Sequence, residues 1–156
     1  IAIKALSPAI NDPTTAVQAL DQIEDLLLRL GRSQLEIGRF RDCQGVLRVV
    51  IPFPTWEDFL RLALDEIRFC GASSVQVTRR MMALIKSLLA VLPAERHPGL
   101  RHWERRVRAT IQRTFEDTEE KRDAAVADRQ GLGMGEEKQA ASAGGQSTGA
   151  ADPAAR

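Results

Sequence analysis

The residues best suited to chemistry lie in one short stretch, Ser7-Pro8-Ala9-Ile10-Asn11-Asp12-Pro13-Thr14-Thr15. Ser7, Asn11, Asp12, Thr14 and Thr15 all carry hydrogen-bonding side chains. They crowd the expected start of a helix, where the first backbone N–H groups have no partner inside the helix. Such a loop could bind an ion, or another polar segment of the same protein. It could equally be a rigid corner, with proline holding the backbone, Asp12 capping the helix, and Asn11 or Thr14 bonding back to the chain. Asp12 already brings negative charge to the positive end of the helix dipole, which counts against a phosphate site. The corner is the preferred reading.

A second candidate is the basic run Arg101, Arg105 and Arg108. Spacings of four and three residues gather them on one side of a helix, with Arg106 and Arg113 beyond the apolar stripe. Between Arg96 and Arg113 six arginines stand against one acid, Glu104. That imbalance suits anionic headgroups or an acidic partner helix. The plainer alternative is a solvated face paired with acids elsewhere in the fold.

The remaining polar residues form no catalytic set. His97 and His102 have no Ser or Cys pattern around them and read as surface or capping residues. Cys43 and Cys70 are too few for a disulfide framework and lack C-x-x-C spacing, so they read as small buried hydrophobes in a reducing compartment. They have no ligand spacing with the histidines, and neither a metal nor a cofactor is expected. Asp65, Glu66, Asp117, Glu119 and Glu120 read as solvated carboxylates. A net charge of +1 gives no reason to expect nucleic acid. The absence of Tyr, with only 4% aromatic residues, argues against a sugar- or base-stacking surface.

The elements that position these residues follow from periodicity and punctuation. Ile1–Leu6 reads as the end of a helix, stopped by Ser7-Pro8. Because the chain opens Ile-Ala-Ile-Lys rather than Met, it reads as an N-terminally truncated fragment. Asp12 and Pro13 start a helix with Ala16, Leu20, Ile23, Leu27 and Leu30 on one side, and Gly31 is expected to end it. Leu35, Ile37 and Val46–Ile51 change to a strand pattern around Asp42-Cys43-Gln44-Gly45, which suits a type I turn in a small hairpin.

Thr55 is expected to cap a helix burying Trp56, Phe59, Leu60, Ala63, Leu64 and Ile67, with Glu57, Asp58, Arg61, Asp65 and Arg68 outside. Ser74 caps the next, burying Val77, Met81, Leu84, Ile85, Leu88 and Leu92 up to Pro93. A last helix starts near Pro98 on the stripe Leu100, Trp103, Val107, Ile111 and Phe115, then frays near Glu119–Asp123. From Asp128 the apolar periodicity ends and disorder is expected. The predicted fold is therefore mainly α, with four or five packed helices and one small β-hairpin. It divides into a helical domain over 1–127 and a disordered C-terminal tail over 128–156. No stretch reaches the length of a transmembrane helix, because Lys86 interrupts the most apolar one.

The stretch Ala5-Leu6-Ser7-Pro8-Ala9-Ile10-Asn11-Asp12-Pro13-Thr14-Thr15-Ala16 resembles the signature of an uncharacterised bacterial family of predicted membrane proteins, domain of unknown function 2254. Gly45–Val50 and the helix from Thr55 to Gly71 resemble it more loosely. The resemblance covers residues 1–120 and implies transmembrane helices upstream of Ile1. It carries no activity and so no catalytic residue.

The function expected from these features is a soluble regulatory or binding module of a membrane-anchored protein, associated with a channel or transporter. The alternative is a hydrolase-like enzyme built on Ser7–Thr15. The expected partners are the upstream transmembrane helices, with a homo-oligomer and anionic lipid as further candidates. The resemblance implies a membrane-associated domain, and reduced cysteines favour its cytoplasmic side.

Overall fold

A computed structural model describes residues 1–132 apart from Glu36. In chain order these form helices α1 (Ala2–Ala5) and α2 (Pro13–Arg32), strands β1 (Arg39–Arg41) and β2 (Leu47–Val50), and helices α3 (Trp56–Cys70), α4 (Val75–Val91), α5 (His97–Thr114) and α6 (Thr118–Ala125). A single 3₁₀ turn, Ala94–Arg96, precedes α5. The predicted mainly α fold with one hairpin is observed. The described residues hold six helices, where four or five were expected.

The extra helix is α6. The stripe of α5 ends at Phe115, and the Asp117 side chain accepts from the amides of Glu119 and Glu120 to begin a new helix. The turn carries Ala124 fully into the core, so the charged segment expected to fray is held on its inner side. The expected tail also begins packed: Asp128 is buried, and its amide donates to the Arg79 carbonyl at 3.3 Å. The rest of that expected tail, 133–156, lies outside the described residues.

The expected caps form. Asp12 caps α2, Ser74 caps α4, and Thr55 with Asp58 makes a reciprocal capping box on α3. Between them the apolar stripes close one core in which Leu20, Leu60, Leu64, Leu84, Leu88 and Leu100 are fully buried. The helix α4 is its axis, with α2, α3, α5 and α6 all packed on it. Full burial of one such side chain stabilises by about 1.5–3 kcal/mol, which explains why uncharged stripes dominate these helices.

Gly31 departs from expectation. It lies inside α2, which runs one residue further to Arg32 and is capped by Ser33. A β-carbon at Gly31 would fall 2.5 Å from Leu92 Cδ1. Glycine here leaves room for the Leu92 side chain at the end of α4 and does not form a left-handed cap. Arg96 fastens the same junction: its Nε donates to the Gly31 carbonyl at 3.2 Å and its Nη2 to the Ser33 carbonyl at 3.0 Å. Trp56 Nε1 in turn donates to the Arg96 carbonyl at 3.1 Å.

The hairpin is shorter than its sequence pattern. Leu35 turns into the core, and β1 starts only at Arg39. The turn is held by Asp42, whose Oδ1 accepts from the amides of Gln44 and Val46, both at 2.9 Å, while Gly45 takes φ +81°. Both strands are exposed along their whole length. The cysteines also differ from expectation. Cys43 sits exposed at this turn and Cys70 is half-buried near the end of α3, both as free thiols.

Candidate functional site

The polar loop folds into a corner bonded to itself. Ser7 Oγ donates to the Lys4 carbonyl at 2.8 Å, and the Ser7 carbonyl accepts from the amides of Ile10 and Asn11 at 3.0 and 2.9 Å. The Asp12 amide donates to the Ala5 carbonyl at 2.8 Å, tying the end of α1 to the start of α2. Asn11 makes the reversal at φ +46°, in the left-handed region that Asn tolerates better than most residues.

The Asp12 carboxylate accepts from the Thr15 amide at 3.0 Å and from the Thr15 hydroxyl. The Thr15 hydroxyl and then its amide hold the Asp12 carboxyl below its ordinary value against the opposing effect of desolvation, with a lesser contribution from the Thr14 amide. Asp12 and Thr15 thus bond to each other, Ser7 bonds instead to Lys4, Ile10 and Asn11, and Asn11 and Thr14 are exposed. Among the described residues no cluster of His, Cys, Asp and Glu could hold a metal ion.

Beside the corner, and sharing Thr15 with it, lies a groove of about 700 Å³ between α1, α2 and α3. Its walls are mainly apolar, among them Ile3, Leu26, Leu30, Phe59 and Leu62, with Gln18, Gln22 and Glu66 also lining it. Leu62 is 82% exposed and Leu26 is 56% exposed, so these are large apolar side chains facing open space. Stripe reading missed the groove because both residues fall off the buried faces of their helices. A signal was present in Leu26-Leu27-Leu28, which has more consecutive apolar residues than one helical face can bury.

The three arginines of the basic run are all exposed on α5. Arg108 pairs with Glu104 at 3.0 Å. Arg101 and Arg105 form no ion pair among the described residues. Arg106, on the other side, stacks over Trp103 at 4.6 Å and reaches Asp65 at 3.1 Å. Asp65 also takes Arg68 at 2.7 Å, and this bond, with the Arg106 charge, lowers its carboxyl below the usual range. Arg68 was expected on the outer face of α3 but is mostly covered, its Nη1 donating to Thr110 Oγ1 at 2.9 Å. His102 is exposed, and His97 Nε2 lies 2.9 Å from the Leu92 carbonyl at the turn between α4 and α5.

A charged cluster inside the fold was also missed. Arg80, only 1% exposed, pairs with Glu24 at 2.6 Å and with Asp21 at 2.8 Å. Its neighbour Arg79 donates from Nε to the Asp123 carbonyl at 2.6 Å, joining α4 to α6. Glu24 lies between Leu20 and Leu27 on a buried stripe, and Arg80 between Val77 and Leu84 on another. One charge on each of two apolar stripes was the available clue.

A family described as "Predicted membrane protein (DUF2254)" matches residues 1–87, the segment holding the corner, the groove and the hairpin. The chain belongs to this family. Uncharacterised proteins of Mycobacterium tuberculosis and Mycobacterium bovis are similar to it, at 31% identity over 88 residues. That stretch is 56% of this chain and 17% of each relative, so the chain spans well under two thirds of their length. No solved structure matches. Membership makes this a domain of a predicted membrane protein, yet none of its described helices is long and apolar enough to cross a membrane.

Proposed function

We propose that this domain is a soluble regulatory or binding module of a membrane-anchored protein, serving a channel or transporter assembly. It docks on the remainder of that protein through the groove between α1, α2 and α3. The supporting observation is the groove itself, about 700 Å³ and mainly apolar, with Leu26 and Leu62 facing open space. Contiguous exposed apolar surface of this kind marks an interaction site. A groove walled by helices fits an apolar helix laid along it. The self-bonded corner at Asp12 then serves as the rigid hinge post that sets α1 against α2 and so fixes one wall. The exposed Arg101 and Arg105, with Arg108, give the module a face for anionic headgroups. Its free thiols, one at the surface, suit a reducing compartment on the cytoplasmic side.

The test is retention on membranes after the domain is severed from the membrane portion at an engineered protease site. The wild-type domain should stay with the membranes, and the Leu26→Asp, Leu62→Asp double variant should be released. Both residues are exposed, so the fold should survive, as circular dichroism would verify. Equal release of wild type and variant would overturn the proposal.

A further inference from the structure

The groove between α1, α2 and α3 is not uniform along its length. Arg96 Nε donates to the Gly31 carbonyl near the end of α2 at 3.2 Å, and the Arg96 carbonyl accepts from Trp56 Nε1 at the start of α3 at 3.1 Å. The end of α2 therefore lies beside the start of α3, and the two helices run antiparallel along the groove. At that end the lining is Leu26, Leu30, Phe59 and Leu62. Toward the corner it is Gln18 and Gln22 on α2, with Glu66 on α3. From Phe59 to Glu66 is two helical turns, about 10 Å along the axis. Glu66 is the one charged side chain among the groove's lining residues. Its neighbours on α3 are paired, Asp58 with Arg61 at 2.9 Å and Asp65 with Arg68 at 2.7 Å. The Glu66 carboxylate makes no hydrogen bond or ion pair among the described residues. A helix laid along the groove strips water from it, and a carboxylate covered without a cation is costly. An occupant apolar throughout is therefore penalised at this end.

We propose, on the reading that the groove docks the remainder of the protein, that its occupant is an amphipathic helix with one basic residue. Its apolar side chains sit among Leu26, Phe59 and Leu62, and its Lys or Arg, about two turns away, meets Glu66. The match is one of charge and of spacing together. Apolar anchors one turn apart fill the Phe59 end, as in other helix-in-groove contacts. Gln18 and Gln22, one turn apart on the facing wall, offer amides to polar groups beside the cation. The single acid also sets direction. Laid the other way, the helix would bring its cation to Leu26 and Leu30 and leave Glu66 unpaired. The groove thereby rejects both a uniformly apolar helix and an acidic one.

The experiment is the severed-domain retention assay with Glu66 varied. Glu66 is exposed, so each variant should keep the circular dichroism spectrum of the wild type. Glu66→Lys sets like charges together and should weaken retention by on the order of tenfold or more. Glu66→Leu leaves the cation of the docked helix unpaired and should weaken it by a smaller factor in the same direction. A uniformly apolar occupant would instead hold Glu66→Leu more tightly than wild type, and an anionic lipid surface would hold Glu66→Lys more tightly. Either gain would overturn the proposal. So would retention of both Glu66 variants at the wild-type level. In that last case, release of the Leu26→Asp, Leu62→Asp variant would keep the groove as the docking site, and retention of that variant as well would remove the docking reading too.

Discussion

Arg80 on α4 and Glu24 on α2 meet at 2.6 Å with 1% and 3% of their side chains exposed. Arg80→Ala leaves Glu24 buried with only Arg129 at 3.7 Å, and should cost about 3–5 kcal/mol in chemical denaturation, whereas Glu24→Ala leaves Arg80 its bond to Asp21 at 2.8 Å and should cost less. Arg80→Met with Glu24→Leu replaces the pair by apolar groups of similar size. It should recover most of that loss, since Arg80 Nη1 finds no hydrogen-bond partner among the described residues even in the intact pair. A double variant weaker than both single alanine variants would show that the pair is net stabilising.

Gly31→Ala tests the contact between α2 and Leu92. In an exposed helix interior this change would stabilise by about 1 kcal/mol. Here the added methyl meets Leu92, itself only 5% exposed, and the change should destabilise by about 1–3 kcal/mol. In a Leu92→Ala background it should be neutral or favourable. Stabilisation of the wild type by Gly31→Ala would mean that Leu92 gives way freely.

The corner predicts an order of thermal stability: wild type, then Asp12→Ser with a small loss, then Asp12→Ala, since Ser caps almost as well as Asp. Equal and large losses, with stabilisation of wild type by added divalent metal, would make Asp12 a ligand instead. Asp12 also shares a pH response with Asp42, Asp58 and Asp65. Their carboxyls are lowered chiefly by the Thr15 hydroxyl, Arg48, the Thr55 amide and Arg68 respectively. All four folded values lie below the ordinary 3.8, so in that window the unfolded chain binds more protons. Their contribution is complete above 3.8 and is lost as the pH falls through the lower folded values. Melting temperatures that rose on acidification below pH 4 would contradict this sign.

Residues 128–132 give the fourth prediction. Asp128 is buried, Gln76 Nε2 donates to the Gln130 carbonyl at 3.4 Å, and Arg129 approaches Glu24 at 3.7 Å. A chain ending at Ala127 should therefore melt several degrees below one ending at Leu132. Identical melting would show that these contacts add nothing.

Much of the helical architecture was legible because α3, α4 and α5 each pair a clear stripe with a recognisable start, at Thr55, Ser74 and Pro98. The corner was legible for the same reason: Asp12 before Pro13 is local chemistry. What escaped was tertiary. Glu24 and Arg80 look like misplaced charges until the two helices are set side by side. Leu26 and Leu62 look like ordinary surface leucines until α1 closes the end of the groove. Gly31 was assigned to a helix end because the close approach of Leu92, 61 residues later, leaves no mark in the neighbouring sequence.

The reach of α5 also says what the family boundary means. The match to the family ends at residue 87, inside α4, which continues to Val91. Beyond it, Leu100, Trp103, Val107 and Ile111 seal the side of α4 and α3 that would otherwise stand open to water. A polypeptide cut at the limit of resemblance would lose a turn of its axial helix and the wall that dries it. In native-state hydrogen exchange the amides of α4 on either side of residue 87 should open together, at one free energy.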